Sequence, residues 1–188
     1  MGSTADNKTG LAGVAEAAKQ APGRGLPPVH LWHPAHCGAI DIVIRRDGVW
    51  MHEGSPIGRA ELVRLFSTVL RKDDDGYVLV TPGEKLSITV EDLPFRAVTV
   101  ARRGGALVFT TDVGDEAEAG PEHPIVVETD PRTGEPSPSV RVRADLWARI
   151  ARPVFYELVE MADVEDGRLT VRSNGAAFAL GPVGAGVE

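Results

Sequence analysis

The chain has a single cysteine, Cys37, in 188 residues. No intramolecular disulfide can form, which excludes a disulfide-stapled secreted scaffold and makes a reducing compartment, the cytoplasm, the expected one. Long apolar runs are missing too. None approaches the roughly 20 residues a helix needs to cross a bilayer, so no membrane association is expected. Met1 to Thr9 carries neither a basic stretch nor an apolar core, so no secretion signal is expected either. Positive charge is also scarce: 20 Lys and Arg stand against 27 Asp and Glu, a formal net charge of −7. Binding a nucleic-acid polymer needs a surplus of Lys and Arg on one face, so that class of partner is disfavoured. A local basic pocket for one phosphorylated ligand remains compatible with this balance.

A hydrophobic share of 43% is enough for one large domain or two small ones, each near the lower end of independent stability. Residues Leu11 to Ala21 suit a short Ala-rich helix stopped by Pro22-Gly23. Its apolar face is mostly Ala and Val, which bury little area, so a loosely docked arm is expected. Gly23 to Pro28 reads as a linker, and Val29 to Gly38 as an irregular approach holding Trp32 and three of the five histidines.

Regular structure is expected from Ile40. Ile40, Ile42 and Ile44 alternate with Asp41, Val43 and Arg45, Asp47-Gly48 supplies a tight turn, and Val49, Trp50 and Met51 return. Leu62, Leu65, Phe66, Val69 and Leu70 recur at helical spacing and predict about three turns, stopped by Asp73-Asp74-Asp75-Gly76. The stretch from Gly76 to Phe95 reads as another hairpin around Pro82-Gly83.

Much of this order recurs. Ile125 to Glu128 and Val140 to Arg143 read as strands, followed by a second helix from about Asp145 to Ala162 and a last hairpin. In that helix Pro153 is expected to cause a kink, with Trp147 and Phe155 on the core side. Arg59-Ala60-Glu61-Leu62 matches Arg143-Ala144-Asp145-Leu146, and Asp75-Gly76 matches Asp166-Gly167. Two copies point to an internal duplication. Phe95 to Thr111 reads as a further hairpin of the second copy, and Asp112 to Glu122 as a solvated acidic loop without calcium-loop spacing.

The fold expected is therefore α+β, two tandem related domains, each of antiparallel hairpins packed on one helix. The divisions read as an arm and linker over 1–27, domains over 28–93 and 94–183, and a tail over 184–188.

Several motifs occur in one linked order: Trp32-His33-Pro34 with Cys37-Gly38, Asp47-Gly48-Val49-Trp50, Gly54-Ser55-Pro56-Ile57-Gly58-Arg59 and Thr81-Pro82-Gly83-Glu84-Lys85. Glu91-Asp92-Leu93-Pro94-Phe95, Glu122-His123-Pro124 and Tyr156-Glu157-Leu158-Val159 continue it. On these residues, from about Pro28 to Gly181, the chain resembles the bacterial domain-of-unknown-function family 1285. The resemblance implies two related domains, the second superficially similar to pleckstrin-homology folds. It also implies a candidate small-molecule site at the domain interface, a nucleotide-like ligand and a part in signal transduction.

Candidate ligand-binding residues are Thr81, Glu84 and Lys85 at one hairpin end, with Arg59, Asp92 and His123. Arg and Lys would meet a phosphate or carboxylate, and the acidic groups would accept from ribose or base donors. The alternative is that Glu84, Lys85 and Arg59 form structural ion pairs. His30, His33, His36 and Cys37 offer zinc-ligand chemistry at a spacing that matches no established pattern. In the plainer reading Trp32 packs on the domain and the histidines line its edge. Three functional classes remain: a non-catalytic ligand sensor, an acid-base or zinc-dependent hydrolase or transferase using Glu84, Asp92 or His123, and a protein-interaction module.

Overall fold

A computed structural model describes residues 6–19 and 25–184, with the side chains of 6–10 left aside. The start of the expected linker at Gly23 and the tail residues 185–188 lie outside the described residues. The chain divides into two compact units, Met1–Asp92 and Leu93–Glu188.

The first unit begins with α1 (Asp6–Lys19) and a single 3-10 turn (Val29–Leu31), followed by β1 (His36–Ile44), β2 (Trp50–His52) and β3 (Ser55–Pro56). Helix α2 (Ala60–Thr68) comes next, then β4 (Leu70–Asp73), β5 (Gly76–Val80) and β6 (Glu84–Val90). The strands form one sheet in the order β3-β2-β1-β6-β5-β4. Ile40, Ile42 and Ile44 are buried as their alternation requires. Gly48, at a φ of 89°, closes the β1–β2 turn, where the Val49 N–H donates to Asp47 Oδ1 at 3.1 Å.

Two features depart from the sequence reading. Helix α2 stops at Thr68, so Leu70 opens a strand rather than a last helical turn. The hydroxyls of Ser67 and Thr68 donate back to the carbonyls of Arg64 and Leu65 at 2.7 and 2.6 Å, occupying acceptors of the final turn. Leu70 instead pairs with Leu79 across β4 and β5. The second departure is that β1 and β6 run parallel. Local alternation predicts strands and hairpins but says nothing of a pairing between segments over 40 residues apart. The arm is also seated: Val14 is 0% exposed, and α1 lies against α2 and β1.

The second unit holds β7 (Phe95–Arg103), β8 (Ala106–Thr111), β9 (Glu116–Glu118), β10 (Ile125–Thr129), β11 (Pro136–Arg143) and β12 (Leu146–Ile150). After these come α3 (Arg152–Glu160), β13 (Asp163–Glu165), β14 (Arg168–Ser173) and β15 (Ala176–Pro182). One sheet has the order β10-β11-β12-β7-β8-β9, with β12 parallel to β7, and the last three strands form a sheet of their own.

Here the expected helix from Asp145 is corrected. Leu146, Ala148 and Ile150 are buried while Trp147 and Arg149 are half-exposed, the period of two of a strand. The helix begins at Arg152, and Pro153 lies in its first turn. At that position the missing N–H has no helical partner to lose, so proline starts the helix instead of kinking it. Val154 and Leu158 form the buried face, and Phe155 is half-buried. The supposed acidic loop contains β9, where buried Ala117 sits between exposed Glu116 and Glu118.

The duplication survives with a different alignment. Each unit has a nine-residue helix leading into a three-stranded meander, α2-β4-β5-β6 and α3-β13-β14-β15. The β4–β5 turn, Asp74-Asp75, corresponds to the β13–β14 turn, Asp166-Gly167, so the matched Asp-Gly pairs are offset by one residue. By contrast, Arg59 to Leu62 starts a helix while Arg143 to Leu146 is the β11–β12 turn, with Ala144 at a φ of 44°. In the second unit the turn after β14 is bolted to β8: Ser173 Oγ accepts from the Leu107 N–H at 2.7 Å and donates to the Ala119 carbonyl at 2.6 Å.

Ser173→Ala would strand the buried Leu107 N–H, because Ser173 is only 1% exposed. We expect a loss of roughly 1 to 3 kcal/mol in urea denaturation, whereas substitution of the exposed Ser87 to Ala should change little.

Candidate functional site

At the hairpin end between β5 and β6, Thr81, Glu84 and Lys85 come together. Thr81 is buried, and its Oγ1 accepts from the backbone N–H groups of Gly83 and Glu84 at 3.3 and 3.1 Å. That hydroxyl holds the turn. The Glu84 side chain lies under α1, where a Cβ added at Gly13 would sit 3.4 Å from Glu84 Oε1, so glycine lets the helix approach closely.

Lys85 Nζ lies 3.2 Å from Asp73 Oδ2. Asp73 also accepts from Arg71, through Nε at 2.6 Å and Nη2 at 3.0 Å. The same guanidinium donates through Nη1 to the carbonyls of Val29 and Trp32 at 2.8 and 2.9 Å. This cluster is thus a strut that ties the approach segment to β4 and β6. Hydrogen bonding from Arg71 is the main cause that holds the Asp73 carboxyl below its ordinary value, with burial opposing it and Lys85 assisting.

Arg59 is exposed at the start of α2, and Asp92 is half-buried at the end of the first unit. His30, His33, His36 and Cys37 are all exposed while Trp32 is half-buried. Among the described residues, no group of three or more His, Cys, Asp or Glu is arranged to hold a metal ion. In the β1–β6 register His36 stands beside Glu84 and Cys37 beside Lys85.

His123 belongs to the second unit, where it lines an open cleft of about 440 Å³. The His123 and Gly120 backbones exchange two hydrogen bonds at 3.1 Å, closing a tight turn over Pro121 and Glu122. Gly120 has a local reason: an added Cβ would meet Asn174 Cβ at 3.2 Å. Asn174 Nδ2 donates to the Ala119 carbonyl at 3.1 Å, keeping the last turn beside the first wall.

His123 Nδ1 lies 3.1 Å from the Arg141 carbonyl. A carbonyl only accepts, so Nδ1 carries a proton, and in the neutral ring Nε2 is the acceptor. Glu116, Glu118 and Glu122 also line the cleft. Glu116 is bound by Arg103 at 2.6 and 3.0 Å, and this hydrogen bonding holds its carboxyl below the ordinary value. From sequence these glutamates read as solvated surface. The available signal was the acidic-apolar-acidic alternation of Glu116-Ala117-Glu118, a short strand that aims both carboxylates outward together.

Residues 27–93 match the family model described as domain of unknown function (DUF1285), N-terminal domain, and residues 94–180 match protein of unknown function (DUF1285), C-terminal domain. A crystal structure of a DUF1285 family protein from Silicibacter pomeroyi DSS-3 is 46% identical, covering 90% of this chain and 95% of that one, with a TM-score of 0.81. Another, from Shewanella baltica OS155, is 26% identical over 63% of this chain and 90% of its own, with a TM-score of 0.52. No curated protein matches.

The strut has a definite pH signature. A carboxyl whose native value is depressed contributes stability above its unfolded value, near 3.8, and loses it as pH falls toward the native value. Asp73→Asn should therefore cost roughly 1 to 2 kcal/mol at neutral pH. In denaturation at stepped pH, the gap from wild type should close below about pH 4.

Proposed function

Since the chain belongs to the DUF1285 family across both of its units, we propose that it is a non-catalytic, ligand-sensing protein of the cytoplasm, acting in signal transduction. The observation that carries this reading is the open cleft around His123, whose lining also includes Glu118 and Glu122 and whose imidazole is held by the Arg141 carbonyl. Glu118 and Glu122 in that lining suit a ligand that presents donors. A nucleotide-like ligand would therefore enter by its base amine or ribose hydroxyls and leave any phosphate toward solvent.

Catalysis is the weaker reading. The His123 Nδ1 proton goes to a backbone carbonyl, not to a carboxylate that would raise the basicity of Nε2. No described helix is long and apolar enough to cross a membrane.

Thermal shift and calorimetry with adenosine, guanosine, their mono- and cyclic nucleotides and simple diamines test the proposal. A ligand at a hundredfold excess over its Kd should stabilise the wild type by about 2.7 kcal/mol. His123→Ala and Glu118→Gln should each weaken binding at least tenfold without altering the unliganded melting temperature by more than a degree or two. Absence of any stabilising member, or binding indifferent to both substitutions, would remove the cleft from consideration.

A further inference from the structure

Two buried nitrogens in the first unit have no hydrogen-bond partner among the described residues: Trp50 Nε1 and His52 Nε2. They stand two residues apart on β2, so their side chains leave the same face of the sheet, separated by roughly 7 Å along the strand. Trp50 is 2% exposed and His52 half-buried. Other deeply buried polar side chains are satisfied: Ser67, Thr81 and Ser173 each have a partner. Native proteins leave few buried polar groups unpaired, because each such group bears its full desolvation cost. Two on one strand face, belonging to one short sequence, Trp50-Met51-His52, call for a shared explanation.

The surroundings define what would satisfy them. Opposite Trp50 and His52 in the β1–β2 register are Ile44 and Ile42, both buried, which offer no polar atom. Opposite His52 on the other side is Ser55 of β3. Directly opposed residues share a face, and Ser55 is exposed, so the row Trp50, His52, Ser55 runs from the buried interior to the open edge of the sheet. An indole N–H can only donate, so the missing partner presents an acceptor. Imidazole Nε2 accepts from that partner or donates to it according to its proton.

We propose that Trp50, His52 and Ser55 frame a small polar site that takes an oxygen-bearing guest, which accepts from Trp50 Nε1 and bonds His52 Nε2. Either an ordered water or a small carboxylate has the required chemistry. Water accepts from the indole and donates to, or accepts from, the imidazole, whereas a carboxylate accepts from both. This site stands apart from the His123 cleft and does not depend on its function.

NMR of the full 15N-labelled chain tests it, with acetate as the carboxylate probe and Trp50→Phe used to assign the indole resonance. In the wild type, a Trp50 Nε1–H resonance that exchanges magnetisation with bound water and ignores acetate identifies ordered water. Saturable movement of both the Trp50 indole and His52 ring resonances with acetate identifies a carboxylate. In either case His52→Gln should shift the Trp50 Nε1–H resonance. Neither a water contact nor an acetate response in the wild type would overturn the site, whatever the variants do. An indole resonance unchanged in a folded His52→Gln protein would overturn the shared guest.

Discussion

The parallel pairing of β1 with β6 is the constraint on which the first unit depends. Parallel neighbours cannot be joined by a tight turn, so the chain must leave the sheet and return. It returns through α2 and the β4-β5-β6 meander, and the pairing that closes the circuit sets His36 beside Glu84 and Cys37 beside Lys85. The second unit meets the same constraint differently. There β12 closes on β7 before the helix is reached, leaving α3 to lead into a meander that forms a separate sheet. One repeated helix-meander segment is thus used in two sheet arrangements.

Polar side chains near these closures are mostly committed to architecture. Thr81 shapes a turn, Arg71 spans from a carboxylate to two carbonyls of the approach segment, and Ser173 fastens the final turn to β8. Arg71 shows why the arrangement is economical: a planar guanidinium with five donors serves Asp73 bidentately and still reaches Val29 and Trp32.

How much was legible in the sequence depended on distance along the chain. Ile40, Ile42 and Ile44 and the Asp47-Gly48 turn could be read directly, since alternation and a positive-φ glycine are local properties. Trp147 could not: Leu146 and Ile150 are four apart, which fits a helix as well as a strand, and only buried Ala148 between them decides for the strand. Pro153 was a similar ambiguity, a helix breaker in the interior but a good residue in the first turn. Of the candidate site residues, Thr81, Glu84 and Lys85 came out together because three of the four consecutive steps between them form one turn. His123 was legible as a candidate, but its neighbours Glu118 and Asn174 are 56 residues apart in the numbering and belong to different sheets, joined here by the hydrogen bonds of Ser173 and Asn174 to the Ala119 carbonyl.

Composition and local pattern by themselves determined the α+β class, the two tandem domains, the duplication and the absence of an intramolecular disulfide, because each depends on residue type or on spacing within one element. Tertiary structure alone decided that β1 and β6 run parallel, that Lys85 is held by Asp73, that Val14 seats the arm, and that Trp50 and His52 turn unpartnered nitrogens inward. Those outcomes depend on which distant segments meet, and burial then determines whether a charge is screened, a hydroxyl consumed or a nitrogen left without a partner.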